Sequence, residues 1–250
     1  MYRLLLTFAT VLWTASPLHA DELIVSAAAS LTDAMTDIKP AFERVHPGTT
    51  VTFNFASSGS LFAQIRQGAP VDVFASANQK WMDKAEDTGF LLQGTRGNFA
   101  ANSLVLATPA DNPAGIKSLE DLAGERVGRV AIGTPEAVPA GMYAKGALER
   151  AGLYSTLQPK YIFGESVRQV LDYLSRGEVD AGFVYATDAK KGGDKVLVIT
   201  DIPLETPVSY PVAVVKESTQ PQLAETFIDF LRGPEGRELL EARGFKTPSE

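Results

Sequence analysis

Cysteine is absent from all 250 residues. Its absence excludes disulfides, thiolate metal sites, a thiol nucleophile and the lipid-bearing cysteine of a bacterial lipoprotein. Histidine is scarce, with only His19 and His46, too few for a zinc centre without cysteine. A Ser-His-Asp triad would have to use His46, yet there is no G-x-S-x-G elbow. His46 stands beside "PG" at an expected helix end and reads as a surface residue. Neither G-x-x-x-x-G-K-S/T nor G-x-G-x-x-G occurs, so no cofactor is expected. Basic residues are the minority, 23 against 30 acidic. That balance argues against nucleic acid or anionic lipid as a partner. No apolar run is long enough to span a bilayer, so no direct membrane insertion is expected.

Hydrophobic residues make up 45% of the chain, ample for a core. Residues 1–20 stand apart: "MYR" carries one positive charge, "LLLTFATVLW" is a short apolar core, and "SPLHA" ends in a small residue. They read as a secretory signal peptide cut after Ala20. Cleavage would remove Arg3 and no acidic residue, taking the formal charge from −7 to −8. A cleaved, unlipidated, acidic protein fits free diffusion in a periplasm.

Beyond the leader, short β-rich runs alternate with helical periods. "ELIVSA", "TTVTFNFA" and "VDVFAS" read as strands, each followed by a helix. "GRVAIG", "KYIFG", "DAGFVYA" and "KVLVIT" form a second series, and two helices close the chain. The alternation predicts an α/β fold of two lobes, each a mostly parallel sheet flanked by helices, with a ligand cleft between them. In "ESVRQVLDYLSRGE", Val167, Val170, Leu171 and Leu174 make a helical stripe. Pro40 should kink the first helix or start a new turn, and Trp81 should pack between helix and sheet. The expected division places 21–101 with 211–250 in lobe I and 102–210 in lobe II. Crossings are expected at Asn102 to Thr108 and Tyr210 to Val215.

Several strand-to-helix junctions share one character: small, neutral and rich in donors. They are "AAAS" with Ser30, "ASSGS" with Ser57, Ser58 and Ser60, "VPAG", and "GES" just before Val167. Each helix start leaves N–H groups unpaired and carries partial positive charge. Several converging on one point would bind an anion without any cationic side chain. The bland alternative is that each serine is an ordinary N-cap, and "SLTD" at 30–33 even resembles a capping box.

The segments "AAASLTDAM", "FASSGSL", "GAPVDVFASANQKWMD", "GTPEAVPAGMYAK", "GESVRQVLDYLSRGEVDAGFVYATDA" and "YPVAVV" occur in one order across nearly all of the expected mature chain. Together they resemble the periplasmic molybdate-binding proteins that feed ABC importers. The resemblance implies a two-lobed receptor that closes on molybdate or tungstate and delivers it, as a monomer, to a membrane ABC permease. Molybdenum would be held as the oxyanion, through its oxygens. The implied ligands are Ser30, Ser58, Ala140, Val167 and Tyr185, with Ser57 and Ser60 close enough to replace or join Ser58. Ala140 and Val167 could offer only backbone N–H groups. Gly59 sits where related chains often have serine. Competing readings are a receptor for sulfate or an organic solute, or an enzyme acting on a phosphorylated or sulfated molecule. The enzyme reading lacks a nucleophile or base. The organic-solute reading lacks aromatic or charged cleft partners, Tyr185 being the only aromatic expected there.

Overall fold

The computed structural model describes residues 21–248; the expected leader and its cut after Ala20 lie outside the described residues. Strand β1 (Asp21–Ala28) leads through a 3-10 turn, Ala29–Leu31, into helix α1 (Thr32–Val45). Then follow β2 (Thr49–Ala56), α2 (Ser58–Arg66), β3 (Val73–Ala75) and α3 (Gln79–Asp87). Leu23, Val25 and Ala27 of β1 are fully buried, as are Val73, Phe74 and Ala75 of β3. Such strands are covered on both faces, which is why they read as apolar runs rather than alternations. β2 and β3 flank β1, both parallel to it.

Strand β4 (Gly97–Asn102) belongs to the same sheet, and β5 (Leu104–Pro109) to a second one. The second sheet is completed by β6 (Val130–Gly133), β7 (Tyr161–Gly164), β8 (Ala181–Tyr185) and β9 (Val196–Asp201). Its helices are α4 (Pro139–Arg150), α5 (Val167–Ser175) and α6 (Ala186–Gly192). Strand β10 (Val208–Val214) returns to the first sheet, and α7 (Pro221–Arg232) and α8 (Pro234–Ala242) pack beside α1, β4 and β10. The strand orders are β2-β1-β3-β10-β4 and β7-β6-β8-β5-β9, each with one antiparallel strand, β10 or β5, in second place from the edge.

The chain thus passes between sheets at Ser103 and through 202–207. Asn102 and Val208 to Tyr210, assigned from sequence to lobe II, are strand residues of the first sheet. The Tyr210 to Val215 stretch is no crossing. Pro211 sits at a register shift in the β10–β4 pairing, where a bulge tolerates the missing donor. Pro40 neither breaks α1 nor starts a new helix. It lies on the exposed side of a continuous helix, where water can serve the carbonyl it leaves free. His46 is half-buried, its ring 4.4 Å from that of Phe42. Trp81 packs with Phe62, Ile65, Phe74 and Met82 under α2 and α3.

Candidate functional site

In the parallel parts of both sheets the strands end toward the same gap, and the helices begin there. That is where open α/β sheets hold ligands. At the first junction the serine is not a cap. Ser30 lies inside the 3-10 turn, α1 begins after it, and neither the turn nor α1 has a side-chain cap bond. The "SLTD" capping box does not form, because Asp33 is engaged elsewhere. Ser30 Oγ instead meets Tyr210 Oη at 3.0 Å. At the second junction Ser57 is the N-cap, its hydroxyl accepting from the Ser60 N–H and lying 2.8 Å from Ser60 Oγ. Ser58 follows at the first helical position, where its own N–H has no helical partner. Its Oγ accepts from the Ala77 N–H at 3.0 Å, so its proton remains free to donate.

The second lobe supplies two more helix starts. Pro139 opens α4 with its N–H already absent, leaving Ala140 and Gly141 as the unpaired donors of the first turn. A Cβ on Gly141 would fall 1.8 Å from the Gly133 carbonyl oxygen, so glycine lets α4 begin directly against the end of β6. At α5 the Ser166 cap satisfies Gln169 N–H, which leaves Val167 and Arg168. Tyr185 ends β8. Its buried hydroxyl donates to the Ala77 carbonyl of the other lobe at 3.5 Å, the outer limit of a hydrogen bond. Burial holds its pKa well above the usual phenol value, so it stays a donor.

Ser30, Ser57, Ser58, Ala140, Val167 and Tyr185 line one small cavity between the lobes. No charged side chain lines it; Ser60 does not line it. The walls also meet outside it: Gly59 N–H donates to the Ala137 carbonyl at 3.0 Å across the gap. A Cβ on Gly59 would stand 2.7 Å from both Ala137 Cα and Trp81 Cζ2, so a serine there would require this contact to shift.

A larger cavity of about 260 Å³ adjoins behind Ser30 and contains the cations. Each is already engaged: Arg168 with Asp33 and Asp188, Lys191 with Asp33, Arg243 with Asp37, and Lys190 with the Ala242 carbonyl. The donor geometry therefore favours the smaller cavity as the anion site.

Sequence reasoning missed this network. Arg168 crosses the gap from α5 to α1, with Nη1 2.6 Å from Asp33 Oδ2 and Nη2 3.3 Å from the Ser30 carbonyl. Its Nε lies 2.6 Å from Asp188 Oδ1, a close ion pair poorly aligned for a hydrogen bond. Asp188 is fully buried, and burial pushes its pKa up to about 6, against the pull of the Arg168 charge. Burial also acts upward on Asp33, but hydrogen bonds from Lys191 and Arg168 prevail and hold it below the usual carboxylate value. Tyr185 is the only aromatic that lines the cavity, and Tyr210 stands behind Ser30, its ring 6.0 Å from that of Tyr185.

Comparison with known proteins agrees with this architecture. Residues 23–246 match the family model described as bacterial extracellular solute-binding protein. The chain is 42% identical to the molybdate-binding protein ModA of Escherichia coli strain K12, over 90% of each chain. It is 36% identical to a putative ABC transporter substrate-binding lipoprotein, YvgL of Bacillus subtilis strain 168, over 89% of this chain and 85% of that one. Among solved structures, the periplasmic molybdate-binding protein of Azotobacter vinelandii superposes with a TM-score of 0.80 at 28% identity, covering 91% of this chain and all of that one. With two sheets, two crossings and a helix-start cavity between them, the chain belongs to the bacterial extracellular solute-binding proteins.

Proposed function

We propose that this protein is a periplasmic receptor for molybdate, and for the closely similar tungstate dianion. It closes two lobes on the anion and presents it, as a monomer, to the permease of an ABC importer. It carries the anion without acting on it chemically. Residues 1–20 would direct export and be cut off after Ala20. The lobes would turn about Ser103 and 202–207.

One observation carries the reading: four helix starts and a tyrosine, drawn from both sheets, line a single cavity that contains donors but no charged side chain. Ser30 and Ser58 would each give an N–H and a hydroxyl, Ala140 and Val167 an N–H, and Tyr185 a hydroxyl. Helix-start N–H groups and dipoles stabilise an anion there without a countercharge. Such a set suits an oxyanion with no proton of its own. Phosphate keeps a proton near neutral pH, and that proton would face donors only. The relatives named for molybdate, at up to 42% identity, favour molybdate over sulfate as the dianion.

The test is thermal unfolding with molybdate, tungstate, sulfate and phosphate. At a hundredfold excess over Kd, a ligand that binds only the folded state stabilises by about 2.7 kcal/mol. For a chain of this size that raises Tm by roughly 5–11 °C. Molybdate and tungstate should do so, and phosphate should not. A larger shift with phosphate or sulfate than with molybdate would overturn the assignment.

A further inference from the structure

Ser30 does not face the cavity alone. Behind it runs a chain of hydrogen bonds whose direction is fixed at its far end. Ser103, the single residue between β4 and β5, donates its backbone N–H to Asn102 Oδ1 at 2.9 Å. A backbone N–H can only donate, so this contact decides which end of the Asn102 amide is oxygen. The NH2 end must then face the other way, where Thr187 Oγ1 lies at 2.8 Å and Tyr210 Oη at 3.2 Å. Tyr210 therefore accepts from Asn102. Its own proton has one acceptor among the described residues, Ser30 Oγ at 3.0 Å. Tyr210 is fully buried, and an unmet phenol proton there would be costly. Burial also keeps the phenol protonated, its pKa being raised far above the usual value. A lone pair of Ser30 is thus filled from behind, and its hydroxyl proton is turned away from Tyr210, with no acceptor among the described residues. Ser58 reaches the same condition by a shorter route, since the Ala77 N–H fills its lone pair.

We propose that Asn102 and Tyr210 are positioning residues that turn the Ser30 hydroxyl proton away from Tyr210, so that Ser30 is held as a donor and the site favours tetrahedral dianions that bring no proton of their own. This rests on the oxyanion reading above and adds to it the origin of the selectivity. The chain begins at the crossing between the sheets, and Asn102 also touches Thr187 of α6. The donor direction of Ser30 is therefore tied to the hinge and not to the local turn.

The experiment is a double-mutant cycle of Tyr210→Phe and Ser30→Ala, with molybdate and phosphate affinities measured by titration calorimetry and apparent Tm recorded without ligand. Tyr210→Phe should weaken molybdate binding about tenfold, the effect of one hydrogen bond to a charged group. It should also narrow the preference for molybdate over phosphate, because the Ser30 hydroxyl is then free to turn its proton away and offer its oxygen to the phosphate proton. In the Ser30→Ala background, Tyr210→Phe should change molybdate affinity less than about twofold, since the residue acts through the missing hydroxyl. The double variant should melt no lower than Ser30→Ala alone. Should Tyr210→Phe fail to fold, Asn102→Ala enters the cycle in its place with the same expectations. Equal losses from Tyr210→Phe with and without the Ser30 hydroxyl, or an unchanged molybdate-to-phosphate ratio, would overturn the proposal. If wild-type protein prefers phosphate, the molybdate assignment itself fails, and the cycle is not the cause.

Discussion

Replacing Arg168 by methionine isolates the ion network that ties the lobes together. Methionine keeps most of the unbranched stem and removes the guanidinium. Asp33 would keep a partner, because Lys191 Nζ lies 2.8 Å from its Oδ1. Asp188 would not: it is fully buried and Arg168 is its ion-pair partner. Leaving one member of a buried pair uncompensated costs about 3–5 kcal/mol. The lower end applies here, since Asp188 already has its pKa pushed up to about 6 and can shed its charge by taking up a proton. A loss of about 3 kcal/mol lowers Tm by roughly 6–12 °C in a chain of this length. The sign with pH follows from linkage. The folded-state pKa of Asp188 lies above its unfolded value of 3.8, and without Arg168 it lies higher still. Stability contributed by the protonated carboxyl is present at low pH and lost as pH rises through the folded pKa. The Arg168→Met deficit should therefore be largest above pH 7 and shrink toward pH 5. Adding Asp188→Asn should recover most of it at pH 7.5. Melting curves at pH 5.0, 6.0 and 7.5 for the wild type, the single and the double variant decide the matter. A deficit constant across pH and unmoved by Asp188→Asn would refute the claim that an orphaned Asp188 charge is its source.

Three further outcomes are expected. Ser30→Ala should weaken molybdate binding roughly ten- to a hundredfold by calorimetry. It should also lower unliganded stability by about 1–3 kcal/mol, because the Tyr210 proton loses its acceptor and not because a cap is lost. Tyr185→Phe should speed molybdate release about tenfold in stopped-flow measurements, with unliganded Tm nearly unchanged, since the ring stays and the bond lost is a 3.5 Å one. Small-angle scattering should give a smaller radius of gyration with molybdate than without it, and identical profiles at saturation would count against closure about Ser103 and 202–207.

Much of the fold was legible because the strands that build it are buried on both faces and bounded by turn residues. β1, β3, β6 and β8 announce themselves in this way. β4 does not: "GNFAAN" has glycine, alanine and asparagine where a strand usually has branched or aromatic residues. It becomes a strand because β10 pairs with it, a tertiary effect that local propensity does not carry. The seven-residue α6 was too short to show a period. The first crossing fell inside the expected Asn102 to Thr108, but the second lies at 202–207 and not at Tyr210 to Val215, because β10 already belongs to the first sheet. At the site, the helix-start donors could be read from small and hydroxyl residues after each strand. The groups that govern those donors could not. Tyr210 meets Ser30 across 180 residues, and Arg168 meets Asp33 across 135, so no local spacing records either contact.

The placement of charge explains why the cavity can be neutral and still selective. A lysine or arginine in the wall would attract any anion of suitable size and would donate to phosphate as readily as to molybdate. Here the cations stand one layer back, behind Ser30, and each is matched by a carboxylate or carbonyl. What reaches the cavity is their organising effect. Arg168 holds the Ser30 carbonyl and thereby the turn that aims the Ser30 N–H. Tyr210 holds the Ser30 lone pair and aims its proton. The two act on opposite sides of one residue, Tyr210 from the first sheet, whose lobe Ser30 shares, and Arg168 across the gap from α5. On the proposed reading, a ligand that uses the donors of both lobes stabilises the closed arrangement, and one that brings its own proton does so less well. Discrimination of this kind depends on the direction of hydrogen bonds and not on net attraction. That allows a chain carrying a formal charge of −7 to be read as a receptor for a dianion.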